Sequence, residues 1–135
     1  MDTVTVGSGA NTVTLGGGAD KFILSVANTS SAAFTTITDI GSGDTIQLTA
    51  NITNSGAKLG AKLSSGLEDY QTYLNAAAAL GGGKVSWFQF GGNTYIVEDN
   101  DNGNFYAAGT DVVIKLTGNV DLSTATFATK IITIA

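Results

Sequence analysis

Cysteine, histidine and proline are absent from this 135-residue chain, and so is arginine, because all six basic residues are lysine. Without cysteine there is no disulfide framework and no thiolate chemistry. Without histidine, serine–histidine–acid catalysis and the usual zinc sites lack their central residue. Specific contacts to phosphates and base edges rely on the planar guanidinium group of arginine. The composition therefore predicts neither an enzyme nor a nucleic-acid-binding protein.

Long apolar runs are absent as well. No stretch approaches the roughly 18–20 consecutive apolar residues of a transmembrane helix, so membrane insertion is not expected. The start of the sequence, Met1-Asp2-Thr3, lacks the basic and apolar regions of a secretory signal peptide. If the protein is exported, its signal is expected elsewhere.

Aspartate and glycine are the residues that the chain uses instead. The formal net charge is −5, nine of the eleven acidic residues are aspartate, and there are 18 glycines. With no proline, the turns depend on glycine, which adopts a positive φ without a steric penalty. Short carboxylates beside glycine suit hard cations with oxygen ligands, above all Ca²⁺. The composition therefore favours calcium binding.

A nine-residue period runs from Asp2 to Leu24. Asp2, Asn11 and Asp20 keep this step, and the apolar and glycine positions between them keep it too. Because side chains alternate along a strand, each short strand turns its apolar residues to one face, and the glycines then reverse the chain. Two strand–turn units form one coil of about 18 residues. Asp2 and Asp20 are therefore predicted on one edge and Asn11 on the other. Stacked carboxylates on an edge would repel unless a cation lay between them.

The segments Gly7–Val13 and Gly16–Phe22 resemble the RTX nonapeptide, G-G-x-G-x-D-x-U-x, in which U is a bulky apolar residue. The resemblance implies a parallel β-roll with Ca²⁺ held between the turns. By the same resemblance, the ligands are the sixth-position residues and the turn carbonyls, here Asp2, Asn11, Asp20, Gly16 and Gly18. Asn11 offers an oxygen without a charge, so its edge is expected to bind more weakly. A plain glycine-rich β-hairpin is the alternative, and the array is expected to continue upstream because the sequence opens within a repeat.

The segment Thr35–Leu48 resembles the strand–turn–strand that closes the β-roll in serralysin-type and related secreted proteins. By that likeness Asp39 and Asp44, which flank a glycine turn, are expected to bind calcium. Gln47 stands where an aspartate is frequent, which departs from the family pattern at a third ligand position. The alternative is that Asp39 makes an Asx-turn and Asp44 begins a strand.

The fold class expected from these patterns is mainly β. Residues 1–50 are predicted to form a short parallel β-roll with its closing strands, and residues 51–135 a β-rich terminal domain with one helix. The helix is predicted over residues 66–80, because Ser65 and Glu68 form a capping box and Gly81 supplies a stop. Further strands are predicted by alternation and turn residues, with Val85–Phe90 and Thr94–Glu98 as a hairpin, followed by Asp111–Leu116 and Lys130–Ile134. The hairpin's aromatic residues are expected to form the core and one solvated face: Trp87, Phe88, Phe90 and Tyr95.

An acidic loop, Glu98–Asn104, follows the hairpin. It is superficially similar to an EF-hand loop, but the later glutamate ligand and the flanking helices are missing. The loop is predicted to be an acidic hairpin turn, with Asp99 and Asp101 as candidate calcium ligands.

The stretch Trp87–Leu122 resembles the carboxy-terminal region of RTX-type S-layer proteins and their secreted relatives. That resemblance implies export by a type I secretion system with an uncleaved carboxy-terminal signal, expected in the last few dozen residues up to Ala135. It also implies an extracellular location at the cell surface, with self-association in a surface lattice as one role.

These observations predict a calcium-binding structural and export module that folds outside the cell when Ca²⁺ binds. One alternative is the RTX tail of a secreted hydrolase, which a catalytic motif upstream would decide. Another is a glycan-binding adhesin domain whose site would use Trp87, Tyr95 and the acidic turn Asp99–Asp101. The expected partners are the type I secretion machinery, other copies in a lattice and, under the last hypothesis, a surface glycan.

Overall fold

The computed structural model describes residues 1–26, 34–49, 54–58, 70–79, 84–101, 103 and 105–135. Within these ranges the chain forms eleven strands and one helix. In chain order they are β1 (Thr3–Val6), β2 (Thr12–Val13), β3 (Lys21–Leu24), β4 (Thr35–Ile37), β5 (Thr45–Gln47), β6 (Asn54–Lys58), α1 (Tyr70–Ala78), β7 (Lys84–Phe90), β8 (Asn93–Asp99), β9 (Val112–Leu116), β10 (Thr126–Ala128) and β11 (Ile131–Thr133).

The strands form two mixed sheets. Sheet 1 has five strands in the order β1-β3-β5-β11-β10, and sheet 2 has six in the order β2-β4-β9-β8-β7-β6. In sheet 1, β1, β3 and β5 are parallel, while β11 and β10 continue the sheet antiparallel. In sheet 2, β2, β4 and β9 are parallel, β8 is antiparallel to both β9 and β7, and β6 is parallel to β7. The prediction of a mainly β chain with one helix is confirmed.

The first five strands alternate between the two sheets. Thr3 of β1 lies opposite Lys21 of β3, which is the 18-residue step expected of two nonapeptides. The later coils use a 24-residue step, as between Thr12 of β2 and Thr36 of β4. The short strands alternate because each carries apolar residues on one face only, so consecutive strands close over a shared interior from opposite sides.

The main core lies between the two sheets. Its fully buried side chains come from both sheets and include Phe22, Ile37, Ile46, Ile114 and Ile132. Strands from either side of residue 50 share both sheets, because β11 pairs with β5 and β9 pairs with β4. The carboxy-terminal strands therefore complete the same core that the repeats begin.

The helix α1 covers the outer face of sheet 2. Tyr73, Leu74 and Ala77 pack there against Phe88 and other residues of β7, β8 and β9. The helix lies inside the predicted range 66–80, whereas the predicted cap residues Ser65 and Glu68 and the stop at Gly81 lie outside the described residues. In the part of the chain that the structure describes, no helix has the length and apolar character needed to cross a membrane.

The expected solvated face of the aromatic hairpin is wrong. Trp87 is 1% exposed and lies in the core between the sheets, while Tyr95 is 7% exposed and stacks on Phe88 beneath the helix. Most of the hairpin is buried on both faces because α1 covers the face that sheet 1 does not, and Phe90 beside the turn is half-buried. The hairpin itself, β7 antiparallel to β8 with a turn at Gly91 and Gly92, is confirmed.

Two strands were not expected from the sequence. β6 (Asn54–Lys58) falls in a polar, glycine-broken stretch, and it pairs parallel to β7. β10 (Thr126–Ala128) is a three-residue edge strand with mostly exposed side chains, so it lacks the apolar alternation that signals a strand. Both segments are strands because they pair with a neighbouring strand, β7 or β11, and their own sequences do not show strand alternation.

The turn before β5 depends on a glycine at position 43. Gly43 has φ +92, and a Cβ built there would come 3.3 Å from the Cβ of Ala19 in the previous coil. Gly43→Ala is expected to lower the free energy of unfolding by about 1–2 kcal/mol, because an L-residue is strained in this conformation. Gly17→Ala is the matched control, since nothing lies within 4 Å of its Cβ position. Denaturant unfolding measures the stability of both variants. Equal stabilities of Gly43→Ala and Gly17→Ala would contradict the strain expected at position 43.

Candidate metal sites

Three aspartates converge at one end of sheet 2, and we call them the loop cluster: Asp99, Asp101 and Asp111. One carboxylate oxygen from each lies within 4.8 Å of the others. Asp99 ends β8 and Asp111 immediately precedes β9. Because β8 and β9 are antiparallel and Glu98 is paired with Val112, the ends of the connecting loop meet at this point.

Backbone N–H groups hold these carboxylates in place. Asp111 accepts from Asn100 N at 2.8 Å through Oδ1 and from Ala107 N at 2.8 Å through Oδ2. Asp99 Oδ1 accepts from Asp101 N at 3.2 Å, and Asp101 Oδ1 accepts from Gly103 N at 2.7 Å. A carboxylate oxygen has two lone pairs, so each of these bonds leaves capacity for a cation.

The electrostatics of the loop cluster favour a bound cation. Asp99 is 1% exposed and Asp111 is fully buried, while Asp101 is exposed. Burial raises the pKa of the Asp99 carboxyl, and the neighbouring charges of Asp111 and Asp101 raise it further, against a lowering by the Asp101 N–H. Three crowded carboxylates repel one another when ionised, and a cation between them reverses the sign of that interaction.

The donor set fits a hard, oxygen-seeking cation. All three side chains offer carboxylate oxygens, which are the ligands that Ca²⁺ prefers. Ca²⁺–oxygen distances of about 2.4 Å allow ligand oxygens on opposite sides of one ion to be about 4.8 Å apart. The observed limit of 4.8 Å therefore permits all three side chains to share an ion. Mg²⁺ usually keeps several waters and takes only one or two carboxylates, so a set of three carboxylates is more typical of Ca²⁺.

Asp111 was missed as a ligand. The sequence predicted only that it begins a strand, whereas Asp99 and Asp101 were predicted as ligands and do lie together. Asp111 and Asn100 are separated by 11 residues along the chain, and only the antiparallel pairing of β8 with β9 closes that gap. The sequence signal that could have identified Asp111 is the presence of an aspartate at each end of the loop between two predicted strands, Asp99 and Asp111.

A second acidic group lies along the edge where the chain passes between the sheets, and we call it the aspartate edge: Asp2, Asp20, Asp39 and Asp44. Asp20 N donates to Asp44 Oδ1 at 2.9 Å, and Asp2 N donates to Asp20 Oδ1 at 2.6 Å. Each buried carboxylate thus binds the backbone of the preceding coil. The ammonium group of Met1 also lies 3.6 Å from Asp20 Oδ1.

Asp20 has a buried carboxylate oxygen that makes no hydrogen bond. It is 2% exposed, and its Oδ2 has no hydrogen-bond partner. A buried carboxylate oxygen without a partner is costly, since desolvation of a charged group is not offset. Asp2, by contrast, is exposed. Among the residues that the structure describes, three acidic groups come within ligand distance only in the loop cluster, so the aspartate edge does not bring its carboxylates together in that way.

Asp39 and Asp44 lie at opposite ends of one turn. Asp39 accepts from Leu15 N at 2.7 Å and Gly16 N at 2.8 Å, one with each oxygen. Asp44 Oδ2 accepts from Gly41 N at 2.7 Å. Both therefore act as acceptors for turn backbone in the fold, and any ion they bind would use their remaining lone pairs.

The predicted turn ligands Gly16 and Gly18 both adopt positive φ, +91 and +123 respectively. Their turn lies on the aspartate edge between β2 and β3. Asn11 lies on the opposite edge, where its Nδ2 donates to the carbonyls of Gly7 at 3.2 Å and Gly9 at 3.4 Å. The amide of Asn11 thus donates hydrogen bonds to the carbonyls of its own turn.

Calcium binding at the loop cluster is expected to weaken as the pH falls. The pKa of Asp99 is raised in the folded chain, so the folded state holds this proton more tightly than the unfolded state does. Without metal, ionisation of Asp99 therefore opposes folding, and its contribution to stability improves as the pH falls from neutral through the raised pKa towards the ordinary one. Calcium requires the ionised form, so its binding releases protons. Titration calorimetry in buffers of different ionisation enthalpy measures this release; a pH-independent affinity would contradict the prediction.

Comparison with known proteins assigns this chain to no family. A scan of the sequence against models of protein families finds no match. A search of curated proteins finds no match either. The inference that the loop cluster and the aspartate edge could bind a cation therefore rests on their carboxylate oxygens, their burial and their negative charge.

Proposed function

We propose that the chain is a calcium-stabilised structural module of a secreted RTX-type protein of the bacterial cell surface, such as an S-layer protein, and that it is not an enzyme. The observation that carries the proposal is the loop cluster, where carboxylate oxygens of Asp99, Asp101 and Asp111 lie within 4.8 Å of one another. The donor set is hard oxygen, two of its members are buried, and the pKa of Asp99 is raised by burial and by like charge. Ca²⁺ is the cation that this combination favours.

The free energy of cation binding would stabilise the folded state. Where calcium is scarce, as in the cytosol, repulsion within the acidic groups opposes closure of the loop and of the turns. Outside the cell, calcium binds the folded state and stabilises it by an amount that grows with the logarithm of the calcium concentration once that concentration exceeds the dissociation constant. Such a chain stays unfolded for export through a type I secretion system, with its carboxy-terminal residues as the signal, and folds afterwards.

We further propose that the amino-terminal coils are a short β-roll. The 18-residue step between Thr3 and Lys21 and the alternation of strands between the sheets support this. The partnerless Oδ2 of Asp20 supports a cation on the aspartate edge, with Asp2, Asp44 and the turn carbonyls as further ligands. The opposite edge needs no ion at Asn11, because its amide already binds the carbonyls of Gly7 and Gly9.

The alternatives have less support. A role as the tail of a secreted hydrolase shares the same calcium chemistry, and a catalytic motif elsewhere in the protein would separate it from a surface-layer role. A glycan platform built on Trp87 and Tyr95 lacks an exposed ring face, because both side chains are buried. The proposed partners are the secretion machinery and other copies of the protein in a surface lattice.

Titration calorimetry on the full chain, stripped of metal by a chelator, tests the proposal. We expect calcium to bind with measurable heat and magnesium to bind more weakly. Asp101→Asn removes one ligand charge at an exposed position and is expected to weaken calcium affinity at least about tenfold, or about 1.4 kcal/mol. Asp121→Asn is the matched control, since Asp121 is also exposed and also accepts from the backbone two residues later, from Ser123 N at 2.9 Å. No calcium binding by the unaltered chain would refute the proposal.

A further inference from the structure

Asn100 lies between the loop cluster, at the end of sheet 2, and Thr49, which follows β5 of sheet 1. Its backbone N donates to Asp111 Oδ1 at 2.8 Å, so its main chain is tied to a cluster carboxylate. Its side-chain Nδ2 lies 2.9 Å from Thr110 O, 3.1 Å from Glu98 Oε1 and 3.3 Å from Thr49 Oγ1. One asparagine therefore contacts the cluster with its backbone and a separate polar group with its side chain.

That separate group belongs to the junction of the two sheets. Thr49 lies two residues beyond the end of β5 in sheet 1, and its Oγ1 donates to Glu98 Oε1 at 2.7 Å. Glu98 belongs to β8 in sheet 2 and is 1% exposed. The preceding residue, Leu48, donates its N–H to Lys130 O at 2.7 Å, next to the carboxy-terminal strand β11. The end of β5 is thus held from two sides, by the Glu98–Asn100 pair and by Lys130.

We propose that Asn100 is a positioning residue that couples calcium binding at the loop cluster to the docking of the end of β5 against sheet 2. This inference rests on the proposed function, because it assumes that the cluster binds calcium. A cation drawn to Asp99, Asp101 and Asp111 fixes Asp111, and Asp111 fixes the backbone of Asn100. The side chain of Asn100 is then held where it meets Glu98 and Thr49.

The coupling runs in both directions. Any contact that is tighter in the calcium-bound state must in turn raise calcium affinity, because linkage between two binding events is reciprocal. Thr49 is not a member of the loop cluster, and its hydroxyl is linked to it through hydrogen bonds with Asn100 and Glu98. Removing the Thr49 hydroxyl should therefore reduce calcium affinity through this chain of hydrogen bonds.

The residue type at position 100 suits this role. An asparagine amide has two N–H groups to share among the three acceptors around Nδ2. It is neutral, so it adds no charge beside the buried carboxylate of Glu98 and the three aspartates. An aspartate at this position would remove the donors and add a further negative charge to the group.

The test measures calcium affinity by calorimetry and amide hydrogen exchange at Leu48, with calcium and with chelator, in the full chain. Asn100→Ala is expected to weaken calcium binding about tenfold, and Thr49→Val about fivefold, in the lower part of the usual range of coupling between sites. Both are expected to remove the calcium-dependent protection of the Leu48 amide. Thr38→Val is the matched control, since Thr38 also lies within two residues of a strand end and its hydroxyl pairs with Thr14 Oγ1 at 2.7 Å, away from the loop.

The outcomes separate the two proposals. Weaker calcium binding in Thr49→Val but not in Thr38→Val supports the coupling, and because valine matches threonine in shape this variant decides even if Asn100→Ala does not fold. Unchanged calcium affinity in Thr49→Val, with calcium bound normally by the unaltered chain, overturns the coupling and leaves the proposed function intact. If the unaltered chain binds no calcium, both proposals fail.

Discussion

Asp99→Asn is expected to raise the melting temperature of the calcium-free chain and to abolish its stabilisation by calcium. Asp99 is 1% exposed, and its pKa is raised by burial first and by the charges of Asp111 and Asp101 next. At neutral pH the ionised carboxylate therefore opposes folding, and the neutral amide removes that opposition. The amide keeps an oxygen for the Asp101 N–H that Asp99 Oδ1 now accepts at 3.2 Å.

The loss in the presence of calcium is the larger effect. A ligand at 100 times its dissociation constant stabilises the folded state by about 2.7 kcal/mol, and this contribution disappears with the site. Thermal unfolding of both proteins with chelator and with calcium measures the two effects, with Asp121→Asn as the control for a charge change outside the cluster. A variant that is destabilised equally in both conditions would show that Asp99 has only a structural role.

Phe22→Ala is expected to lower the free energy of unfolding by about 3–5 kcal/mol, the usual range for a buried aromatic residue. Phe22 is fully buried between the sheets and lies on β3, the middle of the three parallel strands of sheet 1. Val4 and Ile46 are its register partners on the two flanking strands. The substitution would leave a cavity where three coils meet, in a region that cannot collapse without breaking strand pairing.

Ile23→Ala is the matched control for this experiment. Ile23 is the next residue on the same strand, and it is only half-buried because it points to the outer face of sheet 1. We expect its substitution to lower the free energy of unfolding by less than about 1.5 kcal/mol, since much of its surface already meets water. Denaturant unfolding at fixed calcium compares the two, and equal losses would contradict the inward and outward alternation of β3.

The sequence was informative where one period dominates. The nonapeptide step placed Asp2 and Asp20 on one edge and Asn11 on the other, and the observed strand pairing has that arrangement. The alternating aromatic residues of β7 and β8, with two glycines between them, predicted the hairpin. In each case the local pattern and the final packing agree, so a single strand and its turn were enough.

The remaining features depend on contacts between distant segments. The side on which Trp87 and Tyr95 are buried depends on where α1 packs, which the hairpin's own alternation does not encode. Asp111 joins Asp99 only because β9 returns beside β8. The junction of Thr49 with Glu98 spans 49 residues of chain, and neither residue stands out in its own segment.

The most direct measurement is thermal unfolding of the unaltered full chain across a calcium titration, starting from chelator and repeated with magnesium. If calcium supplies folding energy at the loop cluster, the melting temperature rises progressively with calcium concentration, in step with the logarithm of that concentration once the site is filled, and magnesium has a smaller effect. The same melting temperature in chelator and in excess calcium would contradict the proposed role of calcium.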